Sequence, residues 1–461
     1  MVKLCNVYLP SRMFMFIAID GIILVMLALA TLHPSLMHVQ PLPTWRSVAM
    51  AFFIGTVCLW CLYLFDLYDL DLASSGNEIF MRCLRALGCG ILLIAPVWWL
   101  LAPPAAQYLQ LEVSIIVFII AFCVYRLIVE RLRRNFLRGQ RVLLVGSDPI
   151  IQLLAAAMQQ RISLPLKLTG IIRGSKESAK AVLSFATCGD LKDLDSLCQS
   201  FRPNRLAVGM QMEDDALPSS KLLELRRRGV SVEDAVELYE AICGRVPVNQ
   251  IDMRSMAFGR SLQPDPFTSQ IYRFFGMFLA ITLAILLSPL LVCIVIAIKL
   301  DSKGPVFYRQ ERVGLNGKLF NAIKFRSMRT DAETSTGPVW ASQNDPRVTR
   351  VGRVLRKLRL DELAQIWNVL RGEMSLVGPR PERPHFTNIL CEKIPYYDVR
   401  HSVPPGITGW AQVCASYGSN VEESRVKLEY DLFYLKNQSP LLDALIIFKT
   451  IKIAFFGRGA R

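Results

Sequence analysis

Four apolar stretches open the chain, at about Met13–Leu32, Val48–Phe65, Ala86–Leu101 and Val113–Val129, each close to the ~20 residues a helix needs to cross a bilayer. Nothing else constrains the fold as much, because backbone groups inside a bilayer must pair within their own segment. Further spans follow the first, so it does not read as a cleaved signal peptide. The basic residues set the orientation. Lys3 and Arg12 precede the first stretch, Arg82 and Arg85 end the loop after the second, and Arg126, Arg131, Arg133, Arg134, Arg138 and Arg141 follow the fourth. The other two loops offer Arg46 alone and no Lys or Arg between Ala102 and Glu112. The N-terminus and everything beyond Arg131 are therefore expected on the cytoplasmic side. A fifth apolar run, Phe274–Ile298, has Arg254, Arg260 and Arg273 before it and Lys299, Lys303, Arg309 and Arg312 after it. Both flanks claim the same side. Ser288-Pro289 sits in its middle, and proline breaks a helix by removing a donor and crowding the preceding turn. A re-entrant helix–break–helix satisfies charge and proline together, with a fifth span as the alternative.

The net charge of +15 accompanies a 52% hydrophobic fraction. That pairing suits a membrane protein whose cytoplasmic parts lie on anionic lipid or handle anionic ligands. Nucleic acid is not expected as a partner, since neither zinc-finger spacing nor an RNP-like aromatic pattern appears. The twelve cysteines are scattered, many in apolar runs, where thiols act as small hydrophobes. Cys58 and Cys61 have no partner pair for a metal site, and the four histidines (His33, His38, His385, His401) make no ligand spacing.

After the first region, residues 1–135, comes a segment at 136–245 in which strand-like runs alternate with helical ones. "RVLLVG" (Arg141–Gly146), "LKLTGII" (Leu166–Ile172) and "RLAVGM" (Arg205–Met210) are the strands. The alternation predicts a parallel, Rossmann-like α/β domain. Its first strand-to-helix turn, Gly146-Ser147-Asp148-Pro149, lacks the glycine spacing that lets a backbone approach a pyrophosphate. A degenerate, ligand-free module is the favoured reading over a nucleotide site. Residues 246–269 read as a linker and 270–461 as one further domain, with the broken apolar helix at 274–298. The final stretch can place Leu441, Leu445 and Phe448 on one face with Lys449, Lys452 and Arg458 nearby. This is either an interfacial helix or an ordinary packed one.

The chemistry concentrates in that last domain. Asp361 and Glu362 stand where a helix begins, since Leu363, Ile366, Trp367 and Leu370 follow at helical spacing and Gly372 can end it. Taken alone, Asp361 reads as an N-terminal cap. The surroundings say more. In "VGPRPERP", proline stiffens the backbone on either side of Arg380 and Arg383. Preorganised guanidiniums suit phosphate. "IKFRSM" places Lys324 and Arg326 on one face of a strand by alternation. Several cations around a carboxylate pair look like a diphosphate site with a divalent metal.

The ordered motifs "GPVFYRQERVG", "KFRSM", "LRLDELAQIWNVLRGEMSLVGPRP" and "PGITGWAQV" resemble the bacterial sugar transferases that act as polyprenyl-phosphate hexose-1-phosphate transferases. The resemblance covers about Phe274–Arg461, and the earlier regions resemble the long subgroup of that family. It implies transfer of a sugar 1-phosphate from a UDP-hexose to undecaprenyl phosphate, with release of UMP and use of Mg²⁺. This would be the first membrane step of exopolysaccharide, capsule or O-antigen synthesis. By the same resemblance Asp361 is the nucleophile that forms a phosphosugar–enzyme intermediate, Glu362 stands beside it at the metal, and both acids are the metal-side residues. Lys324, Arg326, Arg356, Arg380, Arg383 and Asp431 are the candidate phosphate-binding residues. Arg356 reads equally as a lipid-headgroup contact, and Asp431, in "EYDLFYL", equally as a surface helix acid. Ala364 stands where the family has proline, and alanine suits a first helical turn as well. The implied fold is a membrane α-helical bundle, an α/β Rossmann-like middle domain and an α+β monotopic catalytic domain with a re-entrant helix. The implied place is the bacterial inner membrane, multi-pass, with catalysis on the cytoplasmic face; a homodimer is left open. Two other classes have parts of this pattern. A membrane NAD-dependent nucleotide-sugar dehydratase needs a glycine-rich turn and a Tyr-x-x-x-Lys pair that the chain lacks. A non-enzymatic nucleotide sensor or scaffold leaves the acid pair without a task.

Overall fold

The computed structural model describes residues 2–4, 7–9, 11–31, 44–68, 76–101, 108–136, 139–146, 148–160, 166–173, 187–209, 219–250, 266–329, 347–415 and 420–456. His33, His38, Ser147, Arg458 and most of the linker, 251–265, lie outside them. The chain divides into two compact units. One holds Met1–Val2 and Leu9–Leu238, the other Lys3–Tyr8 and Tyr239–Arg461.

In the first unit, helices α1 (Ser11–Thr31), α2 (Thr44–Leu64), α3 (Gly76–Leu101) and α4 (Tyr108–Phe136) cover the four apolar stretches. Among the described residues, Asn77–Val97 is long and apolar enough to cross a membrane by itself. Phe16–Ala30, Val48–Leu64 and Ile116–Val129 are shorter apolar segments. Leu24, Leu62, Leu87 and Phe122 fill the core between these helices, and Cys58, Cys61 and Cys123 pack there as small apolar groups. One part of the bundle is polar. Asp20 is fully buried and accepts hydrogen bonds from Arg126 (2.7 Å), Tyr68 (2.7 Å) and Tyr125 (3.0 Å). Arg126 also donates to the Leu67 carbonyl at 2.7 Å. Arg126 is therefore an internal ion-pair partner of α1 within α4, rather than one of the loop charges that follow the fourth stretch.

The same unit carries a five-stranded parallel sheet. Its strands are β1 (Gln140–Val145), β2 (Leu166–Arg173), β3 (Thr187–Asp190), β4 (Arg205–Val208) and β5 (Ser231–Asp234), in the spatial order β3-β2-β1-β4-β5. Helices α5 (Pro149–Gln160), α6 (Leu194–Phe201) and α7 (Ser219–Arg227) connect them, and α8 (Ala235–Cys243) follows β5. Central strand β1 is buried from Val142 to Val145, as a strand covered on both faces must be. The strand order reverses between β1 and β4, the place where such sheets open a crevice. Here Asp148 lies against the end of β4: a Cβ on Gly209 would lie 2.2 Å from the Asp148 carboxylate.

In the second unit the fifth apolar run forms two helices, α9 (Pro266–Leu286) and α10 (Ser288–Asp301), bent by 62° where proline opens α10. The Ser288 hydroxyl donates to the Ile285 carbonyl at 2.7 Å across the break. Ile294 and Ile298 of α10 pack on Ile323, Phe325, Leu355 and Ala364, each burial stabilising by about 1.5–3 kcal/mol. Ile323 and Phe325 come from an antiparallel hairpin, β6 (Phe307–Val313) and β7 (Leu319–Phe325). Helix α11 (Arg350–Lys357) leads to a 3₁₀ turn, Leu360–Gln365, and a short helix α12 (Ile366–Leu370). Strands β8 (Ser375–Val377) and β9 (Gly406–Thr408) pair in parallel. α13 (Pro384–Lys393), α14 (Trp410–Cys414), α15 (Val421–Asn437) and α16 (Pro440–Phe456) complete the unit. On α16 the fully buried side chains are Leu442 and Ile446, while Phe448 is exposed. The inward stripe is thus Leu442 and Ile446, and the Leu441–Leu445–Phe448 face runs from half-buried to exposed.

Candidate active site

The two acids sit on the 3₁₀ turn between α11 and α12. Arg359 enters it in the left-handed region (φ 58°), a conformation that costs an ordinary residue about 1–3 kcal/mol and marks a constrained site. Asp361 lies in the first turn, but Arg359, not Asp361, holds the capping position. Asn368 on α12 locks this segment to the hairpin. Its Oδ1 accepts from the Ile323 amide (2.9 Å), and its Nδ2 donates to the Asn321 carbonyl (2.8 Å) and to Glu373 (2.7 Å). Asn368 is fully buried, so the bond from the Ile323 amide is shielded from water and costly to lose.

Glu362 is 6% exposed and surrounded by cations. Lys324 of β7 donates to Oε1 at 2.9 Å. Arg380 donates to Oε1 at 2.6 Å and to Oε2 at 3.2 Å. Arg359 stands 3.9 Å from Oε2. Burial alone would raise the Glu362 pKa, but Arg380 and Lys324 outweigh it and hold the carboxyl well below the usual glutamate range. Asp361 is pushed the other way, first by burial and then by the Glu362 charge beside it, with Lys324, Arg380 and Arg356 opposing. The two carboxyls thus have separate characters, one pinned as a counter-ion and one less easily ionised and partly open to solvent.

Of the residues singled out from sequence, the fold brings Lys324, Arg356 and Arg380 to the acid pair. Arg383 caps the start of α13 with its carbonyl and lies near Arg312. Arg326 goes elsewhere. It is 5% exposed and donates to the Ser302 carbonyl (2.7 Å), the Ser302 hydroxyl (2.8 Å) and the Lys303 carbonyl (3.0 Å). It therefore ties off the end of α10 rather than facing the acids. Asp431 is 1% exposed and receives Arg400 at 2.7 Å and 3.0 Å. A buried carboxylate paired in this way is not a phosphate ligand. Its partner Arg400 also donates to the Arg380 carbonyl at 3.0 Å and to the Tyr397 hydroxyl at 2.6 Å, so the pair supports the backbone that carries Arg380.

The sequence reading did not single out Asn368, Arg359 or Arg400. Arg359 had a signal, being three residues before Glu362 in a predicted helical turn. Asn368 lies off the Leu363–Ile366–Trp367–Leu370 stripe and carried no signal. Arg400 had none, because its carboxylate partner is far along the chain. Arg312 belongs to the same cationic surround. It donates to the Pro381 carbonyl at 3.0 Å, and burial, reinforced by Arg380 and Arg383 against the opposing Glu382, brings its pKa down to about 10. Cations outnumber carboxylates around Asp361, a field suited to an anionic ligand with more than one charge. The described residues contain no group of three or more His, Cys, Asp or Glu able to hold a metal. Glu362 has both oxygens engaged. A single carboxylate together with substrate phosphate oxygens is nonetheless a sufficient donor set for Mg²⁺, so the residues fit such an ion through Asp361.

The profile described as bacterial sugar transferase matches residues 267–457. A UDP-N-acetylgalactosamine-undecaprenyl-phosphate N-acetylgalactosaminephosphotransferase of Aeromonas hydrophila is 44% identical over 225 residues, 49% of this chain and 52% of the relative. An undecaprenyl-phosphate glucose phosphotransferase of Komagataeibacter xylinus is 36% identical over 330 residues, 70% of this chain and 60% of the relative. A UDP-glucose:undecaprenyl-phosphate glucose-1-phosphate transferase of Klebsiella pneumoniae is 33% identical over 344 residues, 71% of this chain and 70% of the relative. The chain thus spans about half the length of the first of these relatives and somewhat more of the others.

Proposed function

This chain belongs to the bacterial sugar transferase family, and from that premise we propose that it moves a hexose 1-phosphate from a UDP-hexose to undecaprenyl phosphate. The products are undecaprenyl-diphosphate-hexose and UMP, in the first membrane step of exopolysaccharide, capsule or O-antigen synthesis. The observation that carries this reading is the divergence within the acid pair: Glu362 locked to Lys324 and Arg380, Asp361 beside it and differently poised.

An Asp361 oxygen attacks the sugar-bearing phosphorus, and the bond from that phosphorus to the bridging oxygen breaks as UMP leaves. The aspartyl phosphosugar then yields to an oxygen of undecaprenyl phosphate, which attacks the same phosphorus and releases the carboxylate. Lys324, Arg356 and Arg380 set the positive field in which charge moves onto the leaving phosphate. Asp361, together with phosphate oxygens of the donor, would hold Mg²⁺, and the ion when bound would neutralise charge on the diphosphate. Glu362 itself fixes the Arg380 and Lys324 side chains, so that little reorganisation is needed when the ligand arrives.

We read α9 and α10 as a re-entrant helix, supported by the basic flanks and the 62° bend, and α1–α4 as spans of the bacterial inner membrane with the catalytic unit on its cytoplasmic face. Entry and exit on one face let the lipid phosphate reach Asp361 with its tail still in the bilayer. The parallel sheet we read as a Rossmann-like module that has given up nucleotide binding, since Asp148 places negative charge where a phosphate would sit. The test is UMP release by the purified, detergent-solubilised chain given undecaprenyl phosphate, Mg²⁺ and a panel of UDP-hexoses. One donor should release UMP in step with a new lipid-linked sugar. UMP release by none, with folded protein, overturns the reading.

A further inference from the structure

The chain between Tyr239 and Val248 belongs to the catalytic unit, although it lies before the broken membrane helix and outside the motifs that carry the chemistry. It is fastened to α15. The Val246 amide donates to the Glu429 carbonyl at 3.0 Å, Arg245 lies 3.5 Å from the Glu429 carboxylate, and Lys436 donates to both oxygens of Glu240 at 2.8 and 3.0 Å. Between these fastenings the Gly244 carbonyl accepts a 2.7 Å hydrogen bond from the Trp410 indole. Gly244 has φ +66°, and a Cβ there would stand 3.1 Å from the Trp410 ring. The site is shaped to the indole and needs glycine. Trp410 is 8% exposed, stacks on Phe433 of α15 at 6.0 Å and carries Lys449 4.5 Å over its face.

Two supports of Arg380 converge on this indole. The first is backbone. Trp410 follows Gly409, and a Cβ on Gly409 would lie 2.2 Å from the Gly378 carbonyl. The Gly378 amide donates to the Thr408 carbonyl at 2.9 Å, and the Gly406 amide to the Pro379 carbonyl at 3.0 Å. Gly378 and Pro379 are the two residues before Arg380. The second is α15. Phe433, under the indole, is two residues from Asp431, whose partner Arg400 donates to the Arg380 carbonyl. Trp410 thus touches both elements that hold the Arg380 backbone, the Gly409–Gly378 contact and α15.

We propose that Trp410 is a positioning residue for Arg380, and that the segment Tyr239–Val248 completes the catalytic unit by seating it. The inference rests on the proposed transfer reaction for its kinetic consequence, but not for its structural one. Its test uses the full chain. Trp410→Phe keeps a stacking ring and removes the indole N–H, and Gly244→Ala crowds the ring from the other side. Hydrogen exchange of the peptide 375–382 should quicken in both variants while exchange in α10 is unchanged. The turnover number should fall about tenfold, a 1.4 kcal/mol rise in the barrier, with KM for the donor within about twofold. Arg380→Lys should reproduce the kinetic loss without quickening exchange at 375–382. If the folded variants exchange as the wild type does and turn over at its rate, the inference is overturned. A wild type that releases no UMP overturns the transfer reading instead, and the exchange measurement still decides the role of Trp410.

Discussion

Replacing Glu362 by Gln keeps the shape of the side chain and deletes its charge. The three hydrogen bonds it receives run 2.6–3.2 Å from Lys324 and Arg380. The Glu362 side chain is 8% exposed, that of Lys324 18% and that of Arg380 31%. Gln offers one oxygen to donors that had two and turns an amide N–H₂ toward a cation. Hydrogen bonds to charged groups contribute roughly 1.5–3 kcal/mol each, and removing one partner of a buried pair costs about 3–5 kcal/mol in total. The variant should therefore lose about 3 kcal/mol of stability near neutral pH, read by denaturant unfolding in detergent. A carboxyl whose folded pKa is depressed contributes stability that is present above the ordinary glutamate value of 4.5 and fades as pH falls through the folded value. The gap between the two proteins should thus persist at mildly acidic pH and close only well below that value. The rate profile should move as well. Asp361 is raised by burial and then by Glu362, with Lys324 and Arg380 opposing. Without the Glu362 charge, Asp361 ionises at lower pH and the acid limb of the turnover profile shifts down, on a lower plateau. A variant as stable as the wild type, or an acid limb that stays put or moves up, would refute the account of the pair.

Arg326→Ala should cost about 2–3 kcal/mol, because it strands the Ser302 and Lys303 acceptors at the end of α10. Turnover per folded molecule should stay within about threefold of wild type, and a far larger loss would return Arg326 to the phosphate site. In the helical bundle, Asp20→Asn should destabilise by about 3–5 kcal/mol by leaving Arg126 buried without its counter-charge. Pairing it with Arg126→Leu should recover part of that loss, and a double variant worse than the sum of the singles would show the pair is not the organising contact. Cysteines engineered just beyond Lys303 should resist a membrane-impermeant reagent applied from the periplasm, and labelling there would make α9–α10 a true span.

The acid pair with Lys324 and Arg380 was legible because each lies in a stretch whose local rules are stiff. Proline fixes the backbone around Arg380, and alternation along β7 aims Lys324. The same alternation misled for Arg326. The strand ends at Phe325, and one residue later the side chain turns to the end of α10. The helix predicted after Arg359 exists, but its first turn is 3₁₀, and propensity does not separate the two forms. What stayed hidden is long-range pairing. Asp20 meets Arg126 across 106 positions, and Arg400 meets Asp431 across 31. Neither pair has a periodic signature, and each became visible only when the helices carrying it were packed. Trp410 read as part of a family motif, and its seat on Gly244 depends on a segment 166 positions away.

Attack by Asp361 on phosphorus can be caught by incubating the chain with Mg²⁺ and a UDP-hexose radiolabelled at the sugar-bearing phosphorus, without lipid acceptor. The expected result is up to one covalent label per chain on the peptide containing Asp361, one UMP released per label, discharge of the label on adding undecaprenyl phosphate, and no label in folded Asp361→Asn. Full turnover by that variant, or steady turnover by a wild type that never takes up label, would contradict it.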